Sequence, residues 1–124
     1  MTPIVIRRLI AAVFIILGGW ALADPRSAIE LGLQPAYRDG AGMPFAVGCF
    51  GAQALIAGLF AATARFTRVT FASYGAMLIG FLVFDYWFWA IEPVLTTLGG
   101  ALDGIGNLIM LALCWVGWRK AGEV

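Results

Sequence analysis

Four long apolar segments, separated by short polar connections, constrain the fold of this chain more than any other feature. The segments are about Ile4–Ala23, Ala41–Ala64, Val69–Ile91 and Leu98–Trp118. A helix rises about 1.5 Å per residue, so each segment can approach or cross roughly 30 Å of hydrocarbon. Hydrophobic residues make up 62% of the 124 positions, against eight basic and seven acidic residues. A water-soluble domain needs more surface charge, so we expect an integral membrane protein.

The segments predict an all-α, integral membrane four-helix bundle with up-down-up-down topology, formed by residues 1–124 as one domain. If the helices alternate in direction, most of the basic residues lie on one side of the membrane: Arg7, Arg8, Arg65, Arg68, Arg119 and Lys120. The other side then carries Arg26 and Arg38. Basic residues collect on the cytoplasmic side, so we expect both termini inside. The first segment is expected to be retained, the alternative being a signal peptide cleaved near Ala21–Ala23.

The connections carry further local signals. Asp24 followed by Pro25 is typical of a helix start and Gly32 of a stop, which predicts a short surface helix over Pro25–Leu31. The second apolar segment is rich in glycine and alanine, which allow close helix approach in lipid, so we expect it to be the central helix. The short link Arg65–Arg68 predicts that the second and third helices are antiparallel neighbours.

Asp85 is the candidate functional residue because it lies inside the third apolar segment. An acid at the centre of a membrane helix costs at least about 3 kcal/mol, so such a residue is a functional candidate by default. Measured along their helices, Asp85, Asp103 and Asn107 lie roughly 8 to 13 Å from the outer ends. We therefore predict a polar, ligand-binding pocket in the outer half of the bundle. Its candidate residues are Asp85, Asp103, Asn107, Gln53, Trp89, Phe81 and Arg38.

The roles of these residues leave two interpretations open. Helical spacing puts Phe81 and Trp89 on the face of Asp85, while Arg38 in the outer loop is the nearest cation. In the functional interpretation these groups line a ligand pocket, in which two neighbouring carboxyl groups could share a proton for acid–base chemistry. In the structural interpretation Arg38 and Asn107 only satisfy two partly buried acids. Trp89 could equally be an interfacial anchor.

Several classes of site are disfavoured by the residues that are present. The chain has no histidine and only two cysteines, which are expected at different depths, so no metal site or disulfide is expected. A phosphate-binding glycine loop and a basic stripe are also missing, so we expect neither a cofactor nor nucleic acid as a partner.

Three features of the chain form a recognisable pattern: Arg7 and Arg8 before the helical segment Leu17–Trp20, the Ala23–Leu33 segment, and the glycine-rich second helix. This pattern resembles the DoxX-like group of small bacterial four-helix membrane proteins. The resemblance implies the fold, a location in a bacterial inner membrane and, for some members, a partnership with membrane redox enzymes. No catalytic residue can be transferred from it.

These features predict an accessory subunit or a non-enzymatic bundle that binds a lipophilic ligand, such as a lipid or quinone, in its outer half. A membrane lipid or terpenoid isomerase that uses Asp85 as its acid or base is one alternative, and a small transporter is another. The expected partners are the lipid bilayer, a lipophilic small molecule, and a larger membrane complex or a second copy of this chain.

Overall fold

The computed structural model describes residues 1–122, which form five α-helices, four of them long and apolar enough to cross a membrane. The helices are α1 (Pro3–Ala23), α2 (Pro25–Gly32), α3 (Gly42–Thr63), α4 (Arg68–Tyr86) and α5 (Thr97–Lys120). The predicted all-α four-helix architecture is confirmed, and so is the short helix that begins at Pro25. Glu123 and Val124, the end of the predicted domain, lie outside the described residues.

Short polar side chains cap the starts of four of the described helices, and α1 begins after one of them, Thr2. The Asp24 carboxylate accepts a hydrogen bond from the Ser27 backbone N–H at the start of α2, at 3.2 Å. Thr67 forms a reciprocal capping box with Thr70 at the start of α4. The Thr96 hydroxyl accepts from the Gly99 N–H at the start of α5, at 2.9 Å. Each side chain satisfies a backbone donor that the first helical turn leaves unpaired.

Helices α1 and α5 occupy the two inner positions of the bundle, since α1 packs along both α3 and α5, and α5 packs along both α1 and α4. The α1–α3 contact is close because a glycine of each helix faces the backbone of the other. A Cβ added at Gly51 would lie 2.5 Å from the Leu22 nitrogen, and one at Gly18 would lie 2.7 Å from the Leu55 nitrogen. The prediction that the second apolar segment, now α3, is central was therefore wrong. Its small residues serve one tight contact with α1 rather than contacts on all sides.

A cleft separates α3 from α4. The short link does place them side by side, and the Tyr74 hydroxyl of α4 donates to the Ala57 carbonyl of α3 at 3.1 Å. Phe50 and Phe81 also meet edge-to-face, with ring centroids 6.3 Å apart. The two helices nevertheless approach one another far less closely than α1 and α3 do. Side chains bridge the gap without filling it.

Basic side chains hold the end of the bundle at which α1 begins and α5 ends. Arg7 of α1 donates to the carbonyls of Ala61, at 2.9 Å, and Ala62 at the end of α3. Lys120 at the end of α5 donates to the Met1 carbonyl at 2.9 Å. Cations are favourable at the C-terminal end of a helix, where backbone carbonyls are unpaired. These residues, assigned to the inner side by the charge rule, therefore also stabilise the bundle.

The opposite end is covered by α2. An antiparallel bridge pairs Leu33 with Leu95, and the Thr96 N–H donates to the Gly32 carbonyl at 2.9 Å. The approach is tight, because a Cβ added at Gly99 would lie 2.5 Å from the Gly32 Cα. The end of α2 is therefore fixed against the start of α5, and α2 forms a roof over this end of the bundle, which the charge rule assigns to the outer side.

Candidate functional site

Asp85 on α4 and Asn107 on α5 are joined by a direct hydrogen bond. The Asn107 Nδ2 donates to the Asp85 Oδ2 at 3.0 Å, and the two side chains are only 7% and 6% exposed. The Asp103 carboxyl lies one turn before Asn107 on the same face of α5, and Asp85 and Asp103 line the same cavity. The structure thus brings together the three polar residues whose depths the sequence analysis matched.

The cleft between α3 and α4 is a cavity with a volume of about 400 Å³. Its walls come from all four long helices and are almost entirely apolar. Asp103 and Asn107 supply polar groups in its outer part, and Gln53 supplies another on the exposed edge of α3. Along α4 the lining runs from Ser73 to Phe81, which corresponds to about 12 Å at 1.5 Å per residue.

A second cavity of about 310 Å³ lies under the roof formed by α2. Asp85 and Asp103 both line it, whereas Asp85 does not line the cleft. Asp103 therefore borders both cavities, and so do the two rings of Phe50 and Phe81. Asp103 is the acid that faces the cleft, and Asp85 stands behind it, held by Asn107.

The other predicted site residues divide into two groups. Phe81 and Gln53 do line the cleft. Trp89 does not: its side chain is 46% exposed and its ring packs against Gly100. The reason is a turn of π-helix over Trp87–Ile91, which breaks the regular α-helical spacing on which a shared face with Asp85 depended.

Arg38 also lies apart from the carboxyl pair. Its Nε donates to the Leu33 carbonyl at 2.8 Å, and its side chain lines a separate polar cavity at the surface, together with Arg26 and Asp39. A single turn of 3-10 helix, Pro35–Tyr37, returns Arg38 to the end of α2. Arg38 was the cation expected nearest to the acids, but its hydrogen-bond partner is the Leu33 carbonyl.

Of the stripe of α4 that forms one wall of the cleft, sequence reasoning found only Phe81. Tyr74, Met77, Leu78 and Phe81 follow the i, i+3, i+4, i+7 spacing of one helix face, and all four line the cavity. That spacing was readable in the sequence. The spacing could not show that α3 lies at a distance from this face of α4, which leaves the stripe partly uncovered.

The chemistry of the site is that of two neighbouring carboxyl groups in largely apolar surroundings. Within residues 1–122, no basic side chain lines the cleft or the cavity under α2. One donor of the Asn107 amide is already used by Asp85. Two adjacent carboxyl groups can hold one proton between them, so the pair can accept or donate a proton or bind a cation.

No family model, curated protein or solved structure matches this chain. The assignment of function therefore depends on the geometry of the cleft and its carboxyl groups.

Proposed function

We propose that this protein is a small membrane bundle that binds a lipophilic molecule in the cleft between α3 and α4. The supporting observation is the cleft itself, a cavity of about 400 Å³ with apolar walls and a few convergent polar groups. Ligand sites in proteins have this composition and a volume of roughly 300–1,000 Å³. The polar end of the ligand would lie at Asp103 and Asn107, and its apolar part would extend along α4 toward Ser73.

The ligand would enter sideways from the bilayer. Gln53, Ser73 and Met77 line the cleft and are exposed on the surface of the bundle, Met77 to 66%. A molecule dissolved in the membrane could pass between α3 and α4 without crossing an aqueous phase. The roof made by α2 closes the direct route from the outer end.

The proposal also includes the membrane in which the protein lies and its orientation there. The six-to-two division of basic residues supports a bacterial inner membrane with both termini in the cytoplasm. A DoxX-like role as an accessory subunit is compatible with ligand binding, since a bundle that collects a lipophilic molecule can present it to a larger membrane enzyme.

A pair of tryptophan substitutions tests the binding proposal. Ser73→Trp places a large ring in the cleft and removes only a hydrogen bond to the Val69 carbonyl of the same helix. Ala72→Trp is the matched control, because Ala72 is exposed and lines none of the described cavities. Both variants and the native protein would be purified gently, and the extracted small molecules identified by mass spectrometry.

We expect one lipophilic species to accompany the native protein and Ala72→Trp, and to be depleted from Ser73→Trp. Equal recovery from all three proteins would place any bound molecule outside the cleft and would refute the proposal.

Acid–base catalysis on such a ligand is the second candidate, favoured by the adjacent carboxyl groups of Asp85 and Asp103. An isomerase needs a group that can take a proton from an apolar substrate and return it elsewhere. Asp85→Asn distinguishes catalysis from binding. If the protein is an isomerase, the variant should retain its ligand in one isomeric form, whereas the native protein should yield a mixture or the other isomer.

A further inference from the structure

The acids at the cleft are not neutralised by basic residues of the described chain. The groups that interact with the Asp85 carboxyl are Asp103 and Asn107, and neither is a cation. The basic side chains of the bundle lie elsewhere: Arg7 and Lys120 bind carbonyls at the opposite end, and Arg38 binds the end of α2. A carboxyl pair in an apolar cavity is therefore left with an amide as its polar protein partner.

We propose that the cleft selects amphiphiles whose polar end is a protonated amine. This inference rests on the proposed function and names the class of ligand. A positively charged head would be attracted by the carboxyl pair in surroundings of low dielectric, where the attraction is stronger than in water. An anionic head, such as that of a fatty acid, would face like charge at the acids and would lose its hydration, with no basic residue of the described chain in the cleft to neutralise it.

Asp103 is the residue that would contact the amine. It borders the cleft, whereas Asp85 is 7% exposed and faces only the cavity under α2. Asn107 holds Asp85 in place behind Asp103, so the second carboxyl group does not occupy ligand space. The apolar tail of the amine would lie against the α4 stripe that contains Met77.

A free lipophilic amine fits this arrangement better than a zwitterionic phospholipid. The phospholipid carries a phosphate next to its ammonium group, and that phosphate would approach Asp85 and Asp103. We therefore commit to a ligand with a single positive charge that partitions into the bilayer.

The test compares three probes with the same chain: dodecylamine, dodecanol and dodecanoate. Binding would be measured on native protein in nanodiscs of neutral lipid, with Ser73→Trp nanodiscs providing the background from partitioning into lipid. Asp103→Asn removes the contacting charge, and Asp103→Glu restores it. Glu92→Gln is the control, since Glu92 is an exposed acid at the outer end that lines none of the described cavities.

We expect specific binding of dodecylamine that is stronger than that of either other probe. Asp103→Asn should weaken amine binding by roughly tenfold or more while leaving dodecanol unchanged, because only the cation loses its charge partner. Asp103→Glu and Glu92→Gln should retain amine binding.

Equal specific binding of all three probes would overturn the selection for amines and leave the binding proposal intact. Binding of no probe above background would also overturn the inference. The proposed function is judged separately, by whether Ser73→Trp loses the molecule that accompanies the native protein.

Discussion

The Asn107 amide and the Asp85 carboxylate form a 3.0 Å hydrogen bond between α5 and α4 inside an otherwise apolar bundle. The bond fixes the carboxylate behind Asp103 and satisfies a polar group that could not otherwise be buried at low cost. It also explains why Asp85, the most conspicuous residue of the sequence, is not the acid that faces the cleft.

Asn107→Leu should destabilise the bundle, because it leaves the Asp85 carboxyl buried without its donor. The expected loss is about 1 to 3 kcal/mol, the usual penalty for an unsatisfied buried group. Equilibrium unfolding in bicelles would measure it. The double variant Asp85→Leu/Asn107→Leu should recover much of the loss, and an Asn107→Leu protein as stable as the native one would contradict the structural importance of the bond.

Asp85→Asn should keep the fold, because the amide has nearly the same shape as the carboxylate and removes a buried charge. Arg38→Ala should change the free energy of unfolding by no more than about 0.5 kcal/mol, as is usual for surface positions, since the structure pairs Arg38 with the Leu33 carbonyl and not with the acids. Thermal melting of both variants provides the check. A much larger loss in Arg38→Ala than in Asp85→Asn would restore the ion-pair interpretation made from the sequence.

Gly51→Ala should be strongly destabilising, because the added Cβ would lie 2.5 Å from the Leu22 nitrogen in the α1–α3 contact. Overpacking of this kind costs about 1–3 kcal/mol. Gly48→Ala on the same helix is the control: its Cβ would meet nothing within 4 Å, and alanine is the better helix former by about 1 kcal/mol. If the two variants had equal stability, the close glycine contact would be disproved.

Both ends of the chain should lie in the cytoplasm. Topology reporters inserted in the Arg65–Arg68 link and after Gly122 should both give the cytoplasmic signal, because the basic residues collect at that end. The hydrogen bond from Lys120 to the Met1 carbonyl already places the two ends together. An external signal from either fusion would reverse the assigned orientation.

The sequence was sufficient to predict the helices, but it was not sufficient to predict how they pack against one another. Apolar length and capping residues predicted the four spanning helices and α2, because both depend on local chemistry. The depth of Asp85 and Asn107 followed from the constant rise of a helix. Which helices pair closely did not follow, because small residues on α3 permit contact on any side and only the complete bundle decides that they meet α1.

Two site residues were misplaced for reasons that no count along the sequence reveals. Trp89 does not share a helix face with Asp85, because the helix changes to a π-turn at Trp87. Arg38 lies apart from Asp85 and Asp103, because the turn at Pro35–Tyr37 places it at the end of α2. Both depend on backbone geometry that a regular helix or loop length does not specify.

Photo-crosslinking tests the central claim, that the cleft between α3 and α4 is a ligand site, most directly. Native protein in nanodiscs would be irradiated with a dodecylamine that carries a photoreactive group in its chain, and the labelled peptides would be sequenced by mass spectrometry. We predict labels on residues that line the cleft, such as Gln53, Met77 and Phe81, and their loss in Ser73→Trp but not in Ala72→Trp. Labels spread evenly over the lipid-facing surface, unchanged by Ser73→Trp, would contradict the account.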